Sequence, residues 1–139
     1  MKVGDENLAK KVLLVMNRKM LSDALIAQSR NDARFKLEAE HNYAMAALTA
    51  ESCSPTITVV EIPESGPWNS ADKCLAICDV IRRQLPDCKQ VILCSENDAD
   101  SCHAAIQAKR ERRVDDFLFY DNSVNYLFSK LEALIETRD

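Results

Sequence analysis

Chemistry in this chain would have to begin from a carboxylate. In the stretch TVVEIPESG, Thr58 to Gly66, three β-branched residues make a buried strand and Glu61 stands at its end. An acid at the edge of an apolar core is normally paired or hydrogen-bonded, so its partners decide what it can do. Three other polar residues leave apolar runs in the same way: Asn17 after VLLVM, Ser95 after VILC, and Tyr120 closing FLFY. The hydroxyls of Ser95 and Tyr120 could both donate to the Glu61 carboxylate. The alternative is that Glu61 points into water from its loop and the hydroxyls bond elsewhere.

Other reactive side chains form weaker patterns. His41 and His103 have no serine or cysteine at a recognisable nucleophile motif and read as surface histidines. The six cysteines (Cys53, Cys74, Cys78, Cys88, Cys94 and Cys102) lie mostly in apolar helix and strand patterns. Cys74 and Cys78 are four residues apart, but no CxxC pair or nearby histidine completes a metal set, so they read as small core residues. Gly4 and Gly66 are the only glycines, which excludes a phosphate-cradling loop or dinucleotide fingerprint. Trp68, in the loop after Glu61, reads as loop packing, as a cap over a pocket or as an anchor for a partner.

The elements that must position these residues alternate. Val12 to Met16 is a continuous apolar run, followed by a helical pattern from Lys19 to about Arg30. Phe35 to Glu40, FKLEAE, has the two-residue period of a half-exposed strand, and Tyr43 to Glu51 is helical. TITVVEI follows Pro55, and Ser70 to Leu85 forms an amphipathic helix that Pro86 ends. Val91 to Cys94 is the fourth strand. Asn97 and Asp98 offer caps for a helix to about Arg112. Phe117 to Tyr120 is the last strand, and DNS caps a closing helix with Val124, Leu127, Phe128, Leu131, Leu134 and Ile135 on its apolar stripe.

Five strand–helix repeats with continuous apolar strands imply a parallel sheet covered on both faces. The expected fold is an α/β, flavodoxin-like (βα)5 domain. Its doubly wound five-stranded sheet has the order 2-1-3-4-5, which puts FKLEAE at an edge. The chain of 139 residues reads as a single domain, 1–139, with a core of about residues 10–136. In such sheets ligands bind beyond the carboxyl ends of the strands at the switch point, where Met16, Asn17, Glu61, Ser95 and Tyr120 emerge.

These positions carry a resemblance. VLLVMNRKMLSDAL, LPDCKQVILCSENDAD and VDDFLFYDNSVNYLFSKL resemble the first strand and helix, the fourth-strand region, and the fifth strand and closing helix of receiver domains. Receivers are the phosphoryl-accepting, CheY-like modules of two-component response regulators, and the likeness runs from Lys10 to about Ile135. The family holds Mg²⁺ with an acidic pair after strand 1 and accepts phosphate on an aspartate ending strand 3. It also uses a serine or threonine after strand 4 and a lysine after strand 5.

In this chain the acidic pair falls on Met16 and Asn17, the aspartate on Glu61 and the lysine on Tyr120, beside Asp121. Ser95 keeps the hydroxyl, Phe117 takes the position of the switch aromatic, and Gly66 keeps the loop glycine. The resemblance therefore implies a pseudo-receiver. A thioether is a poor ligand for a hard cation, and a neutral tyrosine does not replace a lysine. The expectation is no enzymatic activity, no cofactor, no bound metal and no phosphorylation, with regulation through protein contacts. A bolder reading makes Glu61 a standing mimic of the phosphorylated state. The alternatives are the N-terminal regulatory half of a longer DNA-binding response regulator, or a small-molecule sensor using the same pocket.

Composition agrees with a globular chain: 47% of residues are hydrophobic, 29% are charged and the net charge is −4. That balance argues against direct nucleic-acid binding, and the KRERR run from Lys109 to Arg113 reads as a solvated helix end. No membrane span or signal segment is visible, and reduced thiols point to the cytoplasm. The expected working surface is the face of the fourth helix, fifth strand and fifth helix. There Lys109, Arg110, Arg112 and Arg113 would meet Asp115, Asp116, Asp121, Glu132 and Glu136 of a second copy in a homodimer.

Overall fold

The computed structural model describes residues 9–119 and 124–136. Tyr120 and Asp121 therefore lie outside the described residues. The strands are β1 (Lys10–Val15), β2 (Phe35–Glu40), β3 (Ile57–Glu61), β4 (Lys89–Cys94) and β5 (Asp116–Phe119). The helices between them are α1 (Lys19–Ser29), α2 (Ala46–Cys53), α3 (Ala71–Gln84), α4 (Ala99–Arg110) and α5 (Val124–Glu136), with a 3₁₀ turn at Tyr43–Met45 leading into α2. All strands pair in parallel in the order β2-β1-β3-β4-β5, as the alternation of elements predicts.

Strand burial follows position in the sheet. The central β3, ITVVE, is buried at every residue, whereas edge strand β2 alternates buried and exposed before its end. Two cores result. Val12, Leu14, Ile57, Val59, Val91 and Leu93 pack beneath α1 and α5 against Leu25, Leu127, Phe128 and Leu131. Leu13, Val15, Val60, Ile92 and Cys94 face α2, α3 and α4 through Ala46, Ala50, Cys74, Cys78 and Ala105. Truncating one of these fully buried leucines, such as Leu13, costs about 2–5 kcal/mol.

Local chemistry sets the helix ends. The Ser70 hydroxyl accepts the Lys73 N–H at 3.2 Å and starts α3, and Arg82 and Arg83 sit in its last turn, where cations suit the helix dipole. Asp98 starts α4 by accepting the Ser101 N–H at 3.2 Å and the Ser101 hydroxyl at 2.8 Å. Helix α2 ends at Ser54 in the left-handed region, φ 48°. Helix α1 begins at Arg18 with no capping side chain of its own.

Candidate functional site: a buried carboxylate at the switch point

The chain entering α1 is instead held from across the sheet. Val15 of β1 pairs with Val60 of β3, so the chain leaving β1 passes the end of β3. Glu61 is fully buried there. Its Oε1 accepts the backbone N–H of Asn17 at 2.7 Å and that of Arg18 at 3.1 Å. Two successive amides at a helix start form a small anion-binding concavity, and Glu61 fills it from within the chain. Its Oε2 has no hydrogen-bond partner among the described residues but lies 3.8 Å from Arg18 Nε. The same guanidinium donates to Glu64 Oε1 at 2.9 Å, so Arg18 spans two carboxylates. The Glu61 carbonyl is also held, by the Tyr43 hydroxyl at 2.6 Å and more weakly by the Cys74 thiol at 3.7 Å.

The site differs from the sequence reading in several ways. Ser95 does not hold Glu61. Its Oγ accepts the N–H of Asn97 at 3.2 Å, the short-range turn that serine favours two residues before an amide. Glu61 does not point into water either. Met16 is no pocket residue: it is fully buried in the core under α1 and α5, because it continues the inward alternation of Val12 and Leu14. Asn17 reaches Glu61 through its backbone, and its side chain is exposed. Arg18, which the sequence reading passed over, supplies the positive charge there. A cation three residues past β1, beside a strand ending in an acid, was the available signal.

The remaining candidates settle into ordinary surroundings. All six cysteines are free, and all six pack in or against the core under α2, α3 and α4. Burial first, and the Glu61 charge second, push the Cys74 thiol up to about 12. Burial also pushes Cys94 up to about 12, so these thiols are protonated hydrophobes at neutral pH. His41 is exposed. Its Nε2 lies 3.3 Å from Ser22 Oγ, but that hydroxyl donates to the Lys19 carbonyl at 3.0 Å. His103 is exposed on α4. Trp68 stacks on Tyr43 with centroids 5.2 Å apart. Phe117, half-buried, lies edge-on to Phe119 with Lys109 5.7 Å above its ring.

Several of the charges expected to bridge two copies find partners within one chain. Arg113 binds Asp79 at 2.8 Å, Arg82 binds Asp115 at 3.1 Å, and Asp116 takes both Lys109 at 3.0 Å and Lys130 at 3.2 Å. Glu132 pairs with Arg34. Burial alone would raise the Asp116 carboxyl, yet Lys109, the Phe117 N–H and Lys130 together hold it below its ordinary value. Arg110 and Arg112 are exposed.

A response regulator from Thermotoga maritima superposes with a TM-score of 0.73 at 17% identity, over 94% of this chain and 100% of that one. A LuxR-family DNA-binding response regulator from Staphylococcus aureus gives 0.70 at 17% identity, over 89% and 97%. The fold is that of a receiver domain. NtrX from Brucella abortus gives 0.72 at 20% identity, over 92% of this chain and 26% of that longer one. Neither protein-family models nor curated proteins give a match. No helix among the described residues is long and apolar enough to cross a membrane.

The receiver fold implies Mg²⁺ at this switch point, and the residues present do not fit it. A hard cation needs an octahedron of oxygens. Here one position of the acidic pair is a core methionine and the other an exposed amide side chain. Oε1 of the single carboxylate is committed to two N–H donors, and a guanidinium stands 3.8 Å from Oε2.

Proposed function

We propose that this chain is a receiver-fold signalling module that regulates through protein contacts and is not phosphorylated on its strand-3 acid. It has no enzymatic activity of its own and acts in the cytoplasm, without direct nucleic-acid binding by these residues. The observation that carries this reading is the inward Glu61 carboxylate, bound by the Asn17 and Arg18 amides. An attacking oxygen must meet the incoming phosphorus in line, with its charge neutralised. Oε1 is spent on internal amides, and Oε2 is buried against Arg18. Held this way, the carboxylate keeps the β1–α1 junction joined to β3 without an input. Incubation with acetyl phosphate and Mg²⁺ is expected to leave the mass unchanged. A stable gain of one phosphoryl group on Glu61 would refute the proposal.

Self-association through α4, β5 and α5 belongs to the same proposal on changed grounds. Most charges of that face are satisfied within the chain, whereas Ile106 on α4 and Tyr126 on α5 are 38% and 45% exposed. Sedimentation at micromolar concentration should show a dimer little affected by salt and weakened by Ile106→Glu. A monomer at every concentration removes it.

A second reading has support from the comparisons: NtrX, of which the match covers 26%, shows this fold as part of a longer chain. The full reading frame tests whether a DNA-binding domain follows Asp139.

A further inference from the structure

Beside the Glu61 site, the surface between α2 and α3 holds a groove of about 410 Å³. Its floor is Ala44, Ala47, Ala76, Ile77 and Val80. Alanines at three of these positions leave room where larger side chains would close the helix–helix seam. One end is the stacked pair Tyr43 and Trp68. A second depression of about 420 Å³, lined by Asn17, His41 and Asn42, lies on the other side of the same aromatic pair. The apolar groove has one charged lining residue, Lys73.

Lys73 makes that groove selective. Its Nζ lies 5.7 Å from the Trp68 ring centroid and donates to the Pro67 carbonyl at 3.3 Å. An ammonium has three donors, so this bond leaves two, and no carboxylate among the described residues pairs with it. An unpaired cation at the end of a small apolar groove with an aromatic wall asks for an anion on a flat apolar body. The volume lies within the range of small-molecule sites, which bind through apolar walls and a few placed polar groups.

We propose that the α2–α3 groove binds a small aromatic carboxylate, its ring against Trp68 and the alanine floor and its carboxylate on Lys73. The groove is separate from the Glu61 carboxylate, so this site stands whether or not Glu61 accepts phosphate. Tyr43 joins the two regions: its ring walls the groove and its hydroxyl holds the Glu61 carbonyl at 2.6 Å.

The test uses 2-naphthoate and its neutral isostere 2-naphthamide, followed by amide chemical shifts in the full chain. Naphthoate is expected to bind at about millimolar Kd, as suits a ligand of this size, and to shift amides of residues 44–47 and 73–80. Naphthamide should bind several-fold more weakly. Lys73→Met should reduce naphthoate binding to the naphthamide level and leave naphthamide binding unchanged, and Ala76→Phe should block both. Both substitutions are at exposed helix positions, and thermal melts confirm folding. Equal binding of the two probes would show a generic apolar patch and overturn the proposal. So would shifts outside the groove, no binding at about 10 mM, or groove shifts that appear on raising protein concentration alone, which would assign the groove to a second copy.

Discussion

At the scale of single residues, what holds Glu61 decides what a substitution removes. Hydrogen bonds to charged groups contribute more than neutral ones, and stranded buried donors carry a further cost. Glu61→Ala leaves the Asn17 and Arg18 amides without their acceptor and should cost about 2–3 kcal/mol in urea unfolding. Glu61→Gln keeps an acceptor, loses the charge, and should cost about 1 kcal/mol. Arg18→Met should cost less than Glu61→Ala, because it leaves both amide hydrogen bonds to Oε1 in place and removes only a half-exposed side chain 3.8 Å from Oε2. An alanine variant as stable as the parent would show that the amides are satisfied without Glu61. That Glu61 would be held was legible in the sequence, but its amide partners were not, because attention fell on side-chain hydroxyls. Backbone amides are present at every position and carry no residue signature, so an acid that caps a neighbouring loop looks the same as one that faces a serine. Gly66 was legible, by contrast: its φ of 88° needs glycine although nothing lies within 4 Å of an added Cβ.

At the scale of elements, the pattern of apolar residues was sufficient because each strand and helix buries a defined face. Val91 to Cys94 reads as a doubly covered strand and FKLEAE as a half-covered edge, and both are so placed. Boundaries moved by one or two residues where polar residues extend a ladder: Lys10 and Lys11 join β1, and Lys89 and Gln90 join β4. Of the two caps offered for α4, Asp98 is the one used, and it gives a pH dependence. The Ser101 hydroxyl first, and the Ser101 N–H second, hold the Asp98 carboxyl below its ordinary value; Asp116 is also lowered, against its burial. In acid the unfolded chain, with carboxyls near 4, therefore binds more protons than the folded one. These contributions are fully present above about pH 4 and are lost as pH falls through the lower folded values. Asp98→Ala should cost about 1 kcal/mol at neutral pH. It should also flatten the fall in stability below about pH 4. An unchanged acid limb would mean that Asp98 titrates alike in both states.

At the scale of the whole molecule, the two sides of the sheet are built differently. Under α1 and α5 the core is aliphatic and aromatic. The side under α2, α3 and α4 carries the cysteines and a polar pair at the amino ends of the strands, Thr58 and Gln90, which face each other across β3 and β4. The Thr58 hydroxyl meets the Cys88 thiol at 3.3 Å. Gln90 is fully buried, and neither atom of its side-chain amide has a hydrogen-bond partner among the described residues. Its backbone is secured independently, with the N–H on Asp115 Oδ2 at 2.7 Å and the carbonyl taking the Asp115 N–H at 2.8 Å. A side chain can therefore be exchanged here without disturbing the β4–β5 junction. Methionine has a similar length and no strong polar atoms, and it fills irregular space well. An unpaired buried polar group costs about 1–3 kcal/mol, so Gln90→Met should stabilise the domain by about 1 kcal/mol or more. The denaturation midpoint should rise at constant slope, since the area exposed on unfolding barely changes. A lower midpoint would show that the amide is served by ordered water, which methionine would displace without replacing its bonds. In that case the polar seam belongs to the design of this face, and its water should be sought by structure determination of the parent protein.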